Sequence, residues 1–106
     1  MKIEILVIGR NDEILQTVIR LINKNEQWNA TGVLTDEAAI SSFEQLSPVM
    51  VLLTNGIDAS SEKKLREHFA RIHPGCIVIQ HYGGGSGLLS NEILEALNRH
   101  AQANRG

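Results

Sequence analysis

Four short apolar runs, each followed by a stretch of helical spacing, divide the chain into similar quarters. Ile3-Glu4-Ile5-Leu6-Val7-Ile8 is nearly continuous, rich in β-branched residues and closed by Gly9, the pattern of a strand covered on both faces. After Arg10-Asn11-Asp12, the residues Ile14, Leu15, Val18, Ile19 and Ile22 recur at helical spacing. Asp12 and Glu13 suit the positive end of that helix, which is expected to stop near Asn23-Lys24-Asn25. Trp28, Ala30, Gly32 and Leu34 alternate imperfectly with Asn29, Thr31 and Val33, predicting a half-exposed edge strand. Thr35 is placed to cap a second helix that carries Ala39, Ile40, Phe43 and Leu46 inward and stops before Pro48. Val49 to Leu53 reads as a third strand closed by Thr54-Asn55-Gly56, and Leu65, Phe69 and Ile72 form the inner stripe of a third helix. His73-Pro74-Gly75 ends that helix, and Cys76-Ile77-Val78-Ile79 supplies the fourth strand. Tyr82-Gly83-Gly84-Gly85-Ser86-Gly87 then breaks the rhythm as a pliable linker before a helix capped by Ser90, with Ile93, Leu94 and Leu97 facing inward.

Strands joined by helices of crossover length require a parallel sheet with helices on both faces, a three-layer α/β arrangement. The expected strand order is 2-1-3-4, with function at the carboxy ends of the strands. A length of 106 residues with 42% hydrophobic content fits one domain spanning residues 1–106. The net charge of −2 provides no broad attraction for nucleic acid or an anionic membrane, so neither is expected as a partner. The first apolar run is too short for a secretory core with its cleavage region or for a membrane span. Cys76 is the sole cysteine and cannot form an internal disulfide, which with the short apolar start leads to an expectation of the cytoplasm.

Along this order of elements the sequence resembles the receiver family of two-component signalling. Ile8 to Leu15 resembles that family's first strand and acidic turn, and Val51-Leu52-Leu53-Thr54 its third strand. His73 to Ile79 resembles the approach to strand four, and Ser90 to Leu97 the final helix. The resemblance implies a flavodoxin-like fold and, residue by residue, a degenerate phosphorylation site. The paired acids that hold magnesium in the family fall at Gly9 and Arg10, and the phosphoacceptor aspartate falls at Thr54. The switch hydroxyl falls near His81-Tyr82 and the family's lysine near Ser86. Phosphoryl transfer concentrates negative charge that a carboxylate-held divalent cation neutralises; glycine, arginine and threonine cannot hold that cation. One further βα unit of the family, between strand four and the last helix, has no counterpart here. Its absence leaves Cys76, Ile77, Val78 and Ile79 as an apolar sheet edge that calls for cover.

The other chemistry is sparse. The stretch at 83–87 lacks both the Walker lysine and the spaced glycines of a dinucleotide fingerprint, so it reads first as a connector. Arg10 reads first as a structural residue paired with a carboxylate such as Asp12. His68, His73, His81 and His100 lie on different elements without ligand spacing, and a surface or supporting place is expected for them with no metal. Cys76 is expected to be buried and inert, and Trp28 to pack against the second helix or a neighbouring strand. The leading expectation is a non-phosphorylatable receiver-like interaction module in signal transduction, without catalysis or cofactor. It would form a homodimer through Cys76 to Ile79 or by swapping its last helix, or bind another protein. The alternative is a phosphate- or nucleotide-binding domain using Arg10, Thr54, Asn55, Gly83, Gly84, Gly85 and Ser86.

Overall fold

The computed structural model describes residues 2–54, 56–81 and 86–105. Strands and helices alternate: β1 (Ile3–Ile8), α1 (Asp12–Asn23), β2 (Trp28–Val33), α2 (Asp36–Leu46), β3 (Met50–Leu53), α3 (Ala59–Ile72), β4 (Ile77–Gln80) and α4 (Ser86–Arg105). All strand pairs are parallel and the order is β2-β1-β3-β4. The central pair carries the core: Ile5 to Ile8 of β1 and all of β3 are fully buried, as continuous apolar runs in a sheet covered on both faces require. Period-two alternation sends Ile5, Val7, Met50 and Leu52 to one face, against Leu15, Val18 and Ile22 of α1 and Leu89 and Ile93 of α4. Leu6, Ile8, Val51 and Leu53 go to the other, against Ala39 and Phe43 of α2 and Leu65 and Phe69 of α3. Phe43 and Phe69 stack there with ring centroids 4.3 Å apart.

The helix starts are built as the side chains predict. Asn11 Oδ1 accepts the Ile14 N–H at 3.0 Å, and Thr35 Oγ1 accepts the Ala38 N–H at 3.1 Å. Gly32 explains the broken alternation of β2, because any Cβ there would run into Ile19 Cδ1 of the helix packed above it.

Several inward assignments are corrected. Ile14, Ile72 and Leu94 are each nearly half exposed. Ile14 and Leu94 each stand about 100° around their helix from a buried neighbour, Leu15 and Ile93, at the rim of the apolar stripe. Ile72 closes α3 beyond its last buried residue, Phe69. Of the two places expected for Trp28, the structure selects the neighbouring strand: it is buried with Ile5 and Val7 of β1, in the cluster shared with α1 and α4, on the face opposite α2. Ser90 lies inside α4 instead of capping it, since the helix already begins at Ser86. Val49 precedes the third strand, which starts at Met50.

Candidate functional site

In a sheet of this order the carboxy ends of the central strands converge, and they bring Gly9, Arg10 and Thr54 together. Thr54 follows β3 and is buried, 3% exposed. Its backbone N–H donates to the Ile8 carbonyl at 2.9 Å and its Oγ1 donates to the same oxygen at 3.0 Å. The hydroxyl is thus directed into the sheet, and it lies where a side chain on Gly9 would have to go: a Cβ built at Gly9 overlaps Thr54 Oγ1. The two residues fill one space between them. Gly9 is held from the other side by its own N–H, which donates to the Val33 carbonyl at 3.1 Å.

Arg10 turns away from this pair. Its Nη1 donates to the Leu34 carbonyl at 2.9 Å and its Nη2 to Asp36 Oδ1 at 2.5 Å. Asp36 opens α2, where the helix dipole also favours a carboxylate, and its second oxygen lies 3.6 Å from Lys64 Nζ of α3. The Arg10 hydrogen bond, helped by Ser61 and by the charges of Arg10 and Lys64, outweighs desolvation and holds the Asp36 carboxyl below its ordinary pKa. The expected partner Asp12 instead accepts from Gln16 Nε2 within α1. Arg10 therefore bolts the β1 end to the β2–α2 connection and, through Asp36, to α3.

A second polar contact closes the β4 end. The His81 N–H donates to the Leu53 carbonyl at 2.8 Å, which extends the β3–β4 ladder, and its Nδ1 lies 2.8 Å from Glu92 Oε1 of α4. A carboxylate only accepts, so Nδ1 carries the proton in this pair. His81 is buried, 6% exposed, and so takes the supporting place, against Glu92, of the two expected for the histidines. Its place in the sequence, directly ending an apolar strand, was the available signal. Cys76 is half-buried, and desolvation pushes its thiol up to about 11. Asn55, Tyr82, Gly83, Gly84 and Gly85 lie outside the described residues, and Ser86 is the first residue of α4.

The fold family implies a divalent cation held by carboxylates at this corner. The residues present do not fit it. Gly9 and Thr54 offer a closed contact with no carboxylate, Arg10 brings a positive charge, and Asp36 is engaged by two cationic side chains. Among the described residues, no group of three or more His, Cys, Asp or Glu side chains is arranged to hold a metal ion. Also among the described residues, no helix is long and apolar enough to cross a membrane.

No protein-family model and no curated protein matches the sequence. Solved structures do match in shape. The signal receiver domain of a LuxO-type repressor from Vibrio parahaemolyticus superposes with a TM-score of 0.81 at 13% identity, covering 98% of this chain and 96% of that one. A response-regulator-receiver-modulated diguanylate cyclase from Pelobacter carbinolicus gives 0.72 at 14% identity, with both chains fully covered. A Burkholderia thailandensis protein described as the pilus assembly protein CpaE gives 0.70 at 15% identity, covering 91% of this chain and 98% of that one. The chain has the flavodoxin-like fold of response-regulator receiver domains, in a four-stranded form.

Proposed function

We propose that this chain is a receiver-like module of signal transduction that acts by binding a protein and does not accept a phosphoryl group. The observation that carries the reading is the closed contact at the strand ends. At the position that resembles the phosphoacceptor, a buried threonine donates its hydroxyl to the Ile8 carbonyl and packs against a glycine that leaves it room. An attacking oxygen must reach the phosphorus and lose its proton to a base, and neither condition holds for Thr54 Oγ1. The neighbouring cation, Arg10, pairs with Asp36 and ties three elements together, a structural use of its charge. Receiver domains and a protein described in pilus assembly share this fold, so the scaffold serves more than one output.

Incubation with acetyl phosphate and magnesium tests the reading by intact mass, and beryllofluoride with magnesium tests it by amide NMR shifts. The expected result is no added phosphoryl mass and no shift at Gly9, Arg10 or Thr54. A stoichiometric adduct, or saturable shifts at those three residues, overturns it.

A further inference from the structure

The two edges of the sheet are finished differently. β2 reads Trp-Asn-Ala-Thr-Gly-Val, with polar and small residues interrupting the apolar ones, as suits a strand that ends a sheet. Ahead of Gln80, β4 and the residue before it read Cys-Ile-Val-Ile, an uninterrupted apolar run of the kind found inside parallel sheets, yet among the described residues β4 pairs only with β3, and every residue from Cys76 to Gln80 is half-buried. Neither a charge nor a proline guards this edge.

Beside it, α4 presents a flank whose charges are ordered. Two adjoining hollows of about 170 and 300 Å³ run between β4 and α4, and both are lined by Ile79, Ala96 and Arg99. Ala96 therefore stands level with the strand. Glu92 and Glu95 lie before it within about one turn, and Arg99, which also pairs with Glu95 of its own helix, about one turn after. Negative before, positive after and a small residue between make a pattern that complements its own copy when reversed.

We infer that β4 and this flank of α4 form the contact between two copies of the chain, related by a twofold axis perpendicular to the sheet. The inference rests on the reading of the chain as a binding module and names its partner. Antiparallel pairing of β4 with its copy joins the two sheets into one of eight strands and covers the apolar run of both edges. The same axis lays the two α4 helices side by side and antiparallel on one face. Ala96 then faces its own copy at the crossing, where a small side chain permits close approach, and Glu92 of each copy lies level with Arg99 of the other. Association by this route needs no exchange of α4, which stays on its own sheet through Leu89, Ile93 and the His81–Glu92 pair.

Light scattering on the full chain at micromolar concentration is expected to give twice the 11.7 kDa chain mass. Arg99→Glu, at a side chain 75% exposed, is expected to weaken dimerisation about tenfold, because each change acts twice across the axis, while circular dichroism stays that of the folded chain. In a Cys76→Ser background, mild oxidation of Ala96→Cys is expected to give a covalent dimer. Leu94→Cys, about 200° around the same helix, is expected to stay uncoupled. A monomer at these concentrations, a dimer indifferent to Arg99→Glu, or cross-linking at 94 in place of 96 overturns the inference. A dimer made by exchanging α4 would lack the Ala96 cross-link and overturns it as well. None of these outcomes touches the phosphoryl test, so the two readings fail separately.

Discussion

Gly9 and Thr54 share one space, and that sharing can be measured. Gly9→Ala places a methyl group on Thr54 Oγ1, while its other near neighbours, Leu15 Cδ1 and Thr54 Cβ at 3.7 Å, are at ordinary contact. Among the described residues only Ser47 and Gly56 have positive φ, so the backbone at Gly9 accepts alanine and the cost is steric. Thr54 cannot swing its hydroxyl away without losing its bond to the Ile8 carbonyl in a buried setting. Overpacking of this kind costs ~1–3 kcal/mol. For a domain of this size ~2 kcal/mol lowers the melting temperature by roughly 8–16 °C. Thr54→Ala alone costs less, about 1 kcal/mol, because the Ile8 carbonyl keeps the Thr54 N–H at 2.9 Å and no buried acceptor is orphaned. In the double variant the new methyl occupies the volume that the hydroxyl left. Gly9→Ala/Thr54→Ala is therefore expected to be no less stable than Thr54→Ala, a coupling of about 2 kcal/mol. Urea unfolding of the four proteins at one concentration, with equal m-values, reads this cycle. Costs that simply add, leaving the double variant about 3 kcal/mol below the parent, would refute the shared-space argument.

Other contacts make their own predictions. Asp36→Asn is expected to destabilise the fold by ~1–2 kcal/mol at neutral pH, since it weakens a charge-assisted hydrogen bond. The folded pKa of Asp36 lies below the ordinary carboxylate value of about 4, so its contribution is complete well above that value and is lost as pH falls through the lower folded one. The stability gap between parent and variant should therefore close on acidification below pH 4, and a gap that widens there contradicts the assignment. Glu92→Ala removes the partner of His81 Nδ1 and should cost ~1–3 kcal/mol, with faster amide exchange concentrated in α4 by mass spectrometry. Exchange unchanged in α4 would show that the pair does not hold the helix. Cys76, with its thiol raised from 9.0 to about 11, should react with a disulfide reagent at pH 7.4 far more slowly than the unfolded chain, given roughly 100-fold less thiolate. Equal rates would show the side chain to be open.

The sheet was legible because its evidence is local. A strand buried on both faces must be apolar throughout, and Ile5 to Ile8 and Met50 to Leu53 are; the crossover helices then require parallel pairing, and 2-1-3-4 is a common order for a doubly wound sheet of this kind. Caps were legible for the same reason, since Thr35 acts on an amide three residues away. What was not legible depends on distance along the chain. Arg10 had an acid two residues on, Asp12, but its partner is 26 residues on, because the parallel β1–β2 pairing carries the start of α2 back to the end of β1. The burial of His81 follows from Glu92 on the next helix, and the fit of Gly9 follows from a hydroxyl that arrives with another strand. Leu94 and Ile14 illustrate a further limit: helical spacing marks a stripe, and only packing decides where its rim lies.

Trp28 gives the fold a built-in reporter. It is the sole tryptophan of the chain, 3% exposed, at the start of the strand that ends the sheet opposite β4. Its emission should shift when the core that it shares with α1 and α4 opens, and should stay constant when two folded copies meet at the far edge. Fluorescence thus records unfolding and sedimentation records assembly, without crosstalk between the signals. If dimer formation stabilises the fold, the midpoint of the tryptophan transition rises with protein concentration, although the probe never touches the interface.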